Sequence, residues 1–121
     1  MAHAINWFDI PAVDYNRAVK FYSTILGADM IPFEGMENYS MFPSGENEIS
    51  GGLGTVDSLK PSGDSGALVY LNGGDDLSTV LDRVEGAGGK VVLPKTSIGP
   101  NGFVARFHDT EGNLVGLHSM G

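Results

Sequence analysis

Asp14 and Asp75 each open an apolar helical stretch, and the stretches end at Gly27 and Gly88, so both pairs stand 61 residues apart. Ala28-Asp29-Met30-Ile31 follows the first glycine and Gly89-Lys90-Val91-Val92 follows the second. Ahead of the aspartates, Ile5–Ile10 falls on Gly66–Leu71 at the same offset. A repeat of about half a chain means two copies of one supersecondary unit, whose strands and helices bury their apolar faces only by packing together.

Each copy reads β-α-β-β-β. In the first, Ile5–Ile10 is a strand stopped by Pro11. Its period of two puts Ile5, Trp7 and Asp9 on one face and Asn6, Phe8 and Ile10 on the face turned to a helix. Asp14 caps that helix, whose stripe is Tyr15, Ala18, Val19, Tyr22, Ile25 and Leu26. Short strands follow at Asp29–Phe33, Tyr39–Phe42 and Ile49–Leu53. The second copy has a strand at Ala67–Leu71 and a helix capped by Asp75 or Asp76, with the stripe Leu77, Val80, Leu81 and Val84. A strand at Val91–Leu93 is expected to end at Pro94, and Phe103–His108 pairs with Leu114–His118 across Asp109-Thr110-Glu111-Gly112-Asn113. Aspartate at the first position of that turn and glycine at the fourth is type I chemistry. The extra residues of the second copy fall within Lys95–Gly102.

The fold class is therefore α+β, with modules at residues 1–56 and 66–121 joined by a polar linker at 57–65. One helix per module leaves the opposite sheet face free. Sheets that curve toward each other enclose a cavity, a common place for a ligand.

Composition narrows the function. At 121 residues the chain can bury a core, and no apolar run approaches the roughly 20 residues of a membrane span. No basic stretch precedes an apolar core at the N-terminus, so a signal peptide is not expected and a cytoplasmic location is the default. The chain has no cysteine, which removes disulfides, thiolate metal sites and cysteine nucleophiles. A net charge of −8 repels phosphate backbones and argues against nucleic acid. There is no Gly-x-Ser-x-Gly elbow, and Gly51-Gly52-Leu53-Gly54 lacks the lysine of a phosphate loop.

Ile10-Pro11-Ala12-Val13-Asp14, Ala18-Val19-Lys20-Phe21-Tyr22 and Ile25-Leu26-Gly27 resemble the vicinal oxygen chelate superfamily, the group of glyoxalase I, bleomycin-resistance proteins and extradiol dioxygenases. Phe107–Asn113 is similar to the group's Asp-Pro-x-Gly-Asn turn, with Thr110 in place of proline. The resemblance spans essentially the whole chain. It implies a glyoxalase-like fold of two modules forming a curved mixed sheet around a cavity, helices outside, and a homodimer. It also implies a divalent metal held by His, Glu or Gln at four strand positions. Those positions align with Trp7, the neighbourhood of Gly51-Gly52, Ala67 or Leu68, and Gly116. An indole nitrogen only donates, and glycine and alanine offer no ligating side chain, so no metal or other cofactor is expected there.

These residues are compatible with three functions. In the first, Trp7 is a stacking platform for a small aromatic or cationic molecule, with Asp9 supplying charge and Tyr39, Arg106 and His118 lining the site. Tyr70 faces either that cavity or the second helix. In the second, a lyase or dioxygenase uses a displaced metal site of Asp9, His118 and Glu48. In the third, Trp7 plugs the cavity and the domain is structural or regulatory. His108 points away from Phe107's face, and His3 sits near the N-terminus.

Overall fold

The computed structural model describes residues 4–55 and 59–121. His3 and the linker residues Asp57 and Ser58 lie outside them. The elements run β1 (Asp9–Pro11), α1 (Tyr15–Leu26), β2 (Ile31–Pro32), β3 (Tyr39–Met41), β4 (Gly52–Gly54), β5 (Tyr70–Asn72), α2 (Ser78–Val84), β6 (Lys90–Ser97), β7 (Phe103–His108) and β8 (Leu114–Ser119). They form two four-stranded mixed sheets, ordered β1-β4-β3-β2 and β5-β8-β7-β6. In each, the first strand runs parallel to the last, and the other pairs are antiparallel. The expected β-α-β-β-β unit thus occurs twice, as an α+β fold.

Local chemistry accounts for the first module. The Asp14 side chain accepts from the Arg17 backbone N–H at 3.1 Å, and Gly27 ends α1 in the left-handed conformation at φ 67°. Ala18, Phe21, Tyr22 and Ile25 are buried along α1. Phe21 belongs to the buried face beside the expected stripe, and its ring lies 5.9 Å from that of Phe107 in the second module. Tyr22 meets Phe42 of its own module at 5.2 Å. One helix therefore seals both halves into a single core.

Several boundaries differ from the periodicity. β1 and β5 begin at Asp9 and Tyr70, so Trp7 and Ala67 stand just outside the ladder. β4 is Gly52–Gly54 instead of Ile49–Leu53. β6 continues through Pro94 to Ser97, because β6 is an edge strand and its register shifts near the proline. α2 begins at Ser78, after Leu77, and Asp76 still accepts from the Ser78 N–H at 2.9 Å. That bond and Lys95 hold the Asp76 carboxyl down at about 2.

The turn between β7 and β8 fastens the second module to the first. Glu111 accepts from the Asp14 N–H at 2.6 Å, from Arg17 Nε at 2.8 Å and from Thr110 at 2.9 Å. Asn113 donates to the Pro11 carbonyl at 2.8 Å. Burial pushes the Glu111 pKa up, but the bonds from Arg17, Asp14 and Thr110 outweigh it and leave it lowered. A depressed folded pKa stabilises above the ordinary value of 4.5, and that stabilisation is lost as pH falls through the folded value. Below about pH 4.5 the thermal midpoint should therefore fall more steeply for the native protein than for Glu111→Gln. Equal slopes in a pH series of melts would show that the clamp does not contribute.

Candidate functional site

Alternation along β1, β3 and β4 turns Ile10, Ser40 and Leu53 to the core and Asp9, Tyr39, Met41, Gly52 and Gly54 to the open face. Trp7, just before β1, joins that face. Its indole Nε1–H donates to Tyr39 Oη at 3.0 Å, and Tyr39 donates to Asp9 Oδ1. Burial, and then the bond to Asp9, raise the Tyr39 pKa, so its hydroxyl stays a donor at neutral pH. Phe33 sets its ring edge against Tyr39 at 5.6 Å. The result is an indole, 41% exposed and tied by its nitrogen, beside an exposed carboxylate. Trp7, Asp9 and Tyr39 are thus brought together. Phe33 is a member that reasoning from sequence did not single out.

A glycine makes this packing possible. A Cβ at Gly52 would lie 1.8 Å from Tyr39 Oη, so the ring can lie across β4 only where no side chain stands. The second module repeats the device with a different strand. Tyr70 pairs with Gly116, and a Cβ there would meet the Tyr70 ring at 2.3 Å. Tyr70 therefore faces the open side, away from α2, and its Oη accepts from Arg106 Nε and Nη2 at 3.1 and 3.0 Å.

Arg106 and His118 lie on the second sheet's open face, and none of their hydrogen bonds reach Trp7, Asp9 or Tyr39. His118 Nε2 donates to the Asn101 carbonyl at 2.7 Å. Glu48 accepts from the Gly45 N–H at 2.6 Å, within its own turn. Among the described residues no three His, Asp or Glu side chains gather as metal ligands do. At the positions where the resemblance would put the family's metal ligands, Trp7 donates to Tyr39, and tyrosine rings cover Gly52 and Gly116. Ala67 offers only a methyl group. These residues do not fit a divalent cation, which needs converging oxygen or nitrogen lone pairs.

A cavity of about 770 Å³ opens between the two modules, lined by Ile5, Phe8, Phe42, Leu68, Val69 and Tyr70 among others. Trp7, Asp9 and Tyr39 are not in its wall. Its wall is built by the residues ahead of β1 and by β5, and it shares no residue with the platform, whereas Asp9 also borders a smaller pocket beside Val69 and Leu114. Among the described residues no helix is long and apolar enough to cross a membrane.

Paired β-α-β-β-β modules with a clear face on each sheet define a glyoxalase-like fold. The sequence profile of the glyoxalase/bleomycin resistance protein/dioxygenase superfamily matches residues 4–117, and the chain belongs to that superfamily. It is 34% identical over 117 residues to a glyoxylase-like domain-containing protein of Didymella fabae, covering 90% of this chain and 88% of that one. Two mycobacterial relatives are 28% identical over 114 residues, and the chain spans 44% of their length. Among solved structures, a glyoxalase/bleomycin resistance protein from Albidiferax ferrireducens T118 superposes with a TM-score of 0.75 at 14% identity, covering 95% of this chain and 97% of that one. TnmS3, an antibiotic binding protein from Streptomyces sp. CB03234, superposes with a TM-score of 0.64 at 24% identity, covering 100% and 99%.

Proposed function

We propose that this protein binds a small aromatic or cationic molecule on the Trp7 platform and does so without a metal. The observation that carries the reading is the Trp7–Tyr39–Asp9 chain. An exposed indole is ordinarily free to rotate, and binding to it costs the entropy of ordering it. Here the indole nitrogen is already held, so its face is presented in advance, with a carboxylate near enough to favour a cation. An antibiotic binding protein with the same fold supports the reading by analogy.

A homodimer belongs to the same proposal. Among the described residues β1 and β5 are edge strands of their sheets. A second copy would cover these edges and close the platform from above.

Thermal melts of tag-free, chelator-stripped protein with Ni, Co, Zn, Mn and Fe(II) test the metal-free part. A metal at 100 times its dissociation constant adds about 2.7 kcal/mol, which moves the midpoint of a domain this size by several degrees. The expected outcome is no shift with any of them. A shift that disappears in His118→Ala would instead establish a relocated metal site and overturn the reading.

A further inference from the structure

Charge is unevenly distributed over the two sheets. The strands β5, β6, β7 and β8 carry three of the chain's seven Lys and Arg residues and two of its three His, but none of its fifteen Asp and Glu. In a protein of net charge −8, this sheet is free of carboxylates. Lys95 is engaged by Asp76 at 2.9 Å, and His108 by the Gly63 carbonyl at 3.0 Å. Arg106 remains on the open face, and among the described residues no carboxylate lies within ion-pairing distance of it.

Its partner is a neutral hydroxyl. A guanidinium has five N–H donors in a planar fork, and Arg106 gives Nε–H and one Nη2–H to the same Tyr70 oxygen. That leaves the end-on edge, one N–H from each Nη, with no described acceptor. Tyr70 Oη accepts twice, so its own proton remains available to donate outward. The tyrosine is 40% exposed, and its ring lies across the bare backbone of Gly116, which fixes the hydroxyl and through it the guanidinium. A rigid fork with a neighbouring O–H donor matches the oxygens of a carboxylate or a phosphonate.

We infer that the Arg106–Tyr70 pair on the open face of the second sheet binds the oxyanion group of a small organic acid. This site lies beyond the Trp7 platform and uses no residue of it, so it stands or falls separately.

The protein, labelled with nitrogen-15, is titrated with benzoate, phenylphosphonate and the neutral benzamide, and the Arg106 Nε–H resonance is followed. Both anions should shift that resonance saturably and bind at least about ten-fold more tightly than benzamide, as charge-assisted paired hydrogen bonds exceed neutral ones. The tighter of the two identifies the group as carboxylate or phosphonate. Arg106→Gln should abolish the preference, and Arg106→Lys, which keeps the charge but loses the fork, should lose most of it. Trp7→Ala should keep it in full, which separates this site from the platform. Equal binding of benzamide and the anions, no saturable shift, or a preference that survives intact in Arg106→Lys would overturn the inference.

Discussion

Asp109→Ala should lower stability by about 3–5 kcal/mol, the range for breaking a buried polar network. Asp109 is 5% exposed and accepts four hydrogen bonds. The Tyr22 hydroxyl donates at 2.6 Å, the backbone N–H groups of Glu111 and Asn113 at 2.8 and 2.9 Å, and the Asn113 side-chain amide at 2.8 Å. Alanine leaves these donors facing an apolar gap, and each unsatisfied one costs about 1–3 kcal/mol before relaxation. The loss would also release the turn that places Glu111 on the start of α1, so both modules should loosen in one transition. Burial and the Asp109 charge raise the Tyr22 pKa well above its ordinary value of 10, so the hydroxyl remains a donor throughout the neutral range. For a chain of this length a midpoint drop of roughly 10–20 °C is expected. A drop of only a few degrees would show that water replaces the carboxylate, and that this turn is not what joins the modules.

Gly52→Ala should have the largest effect at the platform. The new methyl group would sit 1.8 Å from Tyr39 Oη and 2.0 Å from Cζ, which no ring can tolerate. Tyr39 is buried against Phe33, so moving it costs about 1–3 kcal/mol, the range for an overpacked core. Its displacement also releases Trp7 and Asp9. Calorimetric melts and the Trp7 fluorescence spectrum should change together. At Gly116 the obstructing ring is Tyr70, which is half-exposed, so Gly116→Ala should be milder in stability. A glutamate at either position would meet a tyrosine ring before it could reach a cation.

The architecture was legible because its signals are local. Asp14 caps, Gly27 terminates, and Asp109-Thr110-Glu111-Gly112-Asn113 turns, each through chemistry within five residues, and the repeat then implies two modules. The boundaries were less legible where tertiary context decides. Pro94 reads as a stop, yet β6 passes through it because an edge strand can spare one N–H. Phe21 lies outside the simple stripe because α1 must serve two sheets.

For the site, period two placed Trp7 and Asp9 on one side, and that pairing holds. Tyr39 as the link between them, and Phe33 behind it, depend on strand pairing some thirty residues away. The orientation of Tyr70 was open in sequence. It is settled by Gly116, whose missing side chain gives the ring a place to lie. Arg17 and Glu111, 94 residues apart, leave no local sign of their partnership.

The most direct measurement is calorimetric titration of native and Trp7→Ala protein with N-methylquinolinium, a flat aromatic cation, alongside thermal melts of both. Trp7 is exposed, so its truncation should leave the midpoint within a few degrees. Binding should weaken by about 1–3 kcal/mol, close to the worth of one lost stacking and cation–π contact. Equal affinity in the two proteins, or a stability loss of about 3–5 kcal/mol that marks Trp7 as buried core, would contradict the platform.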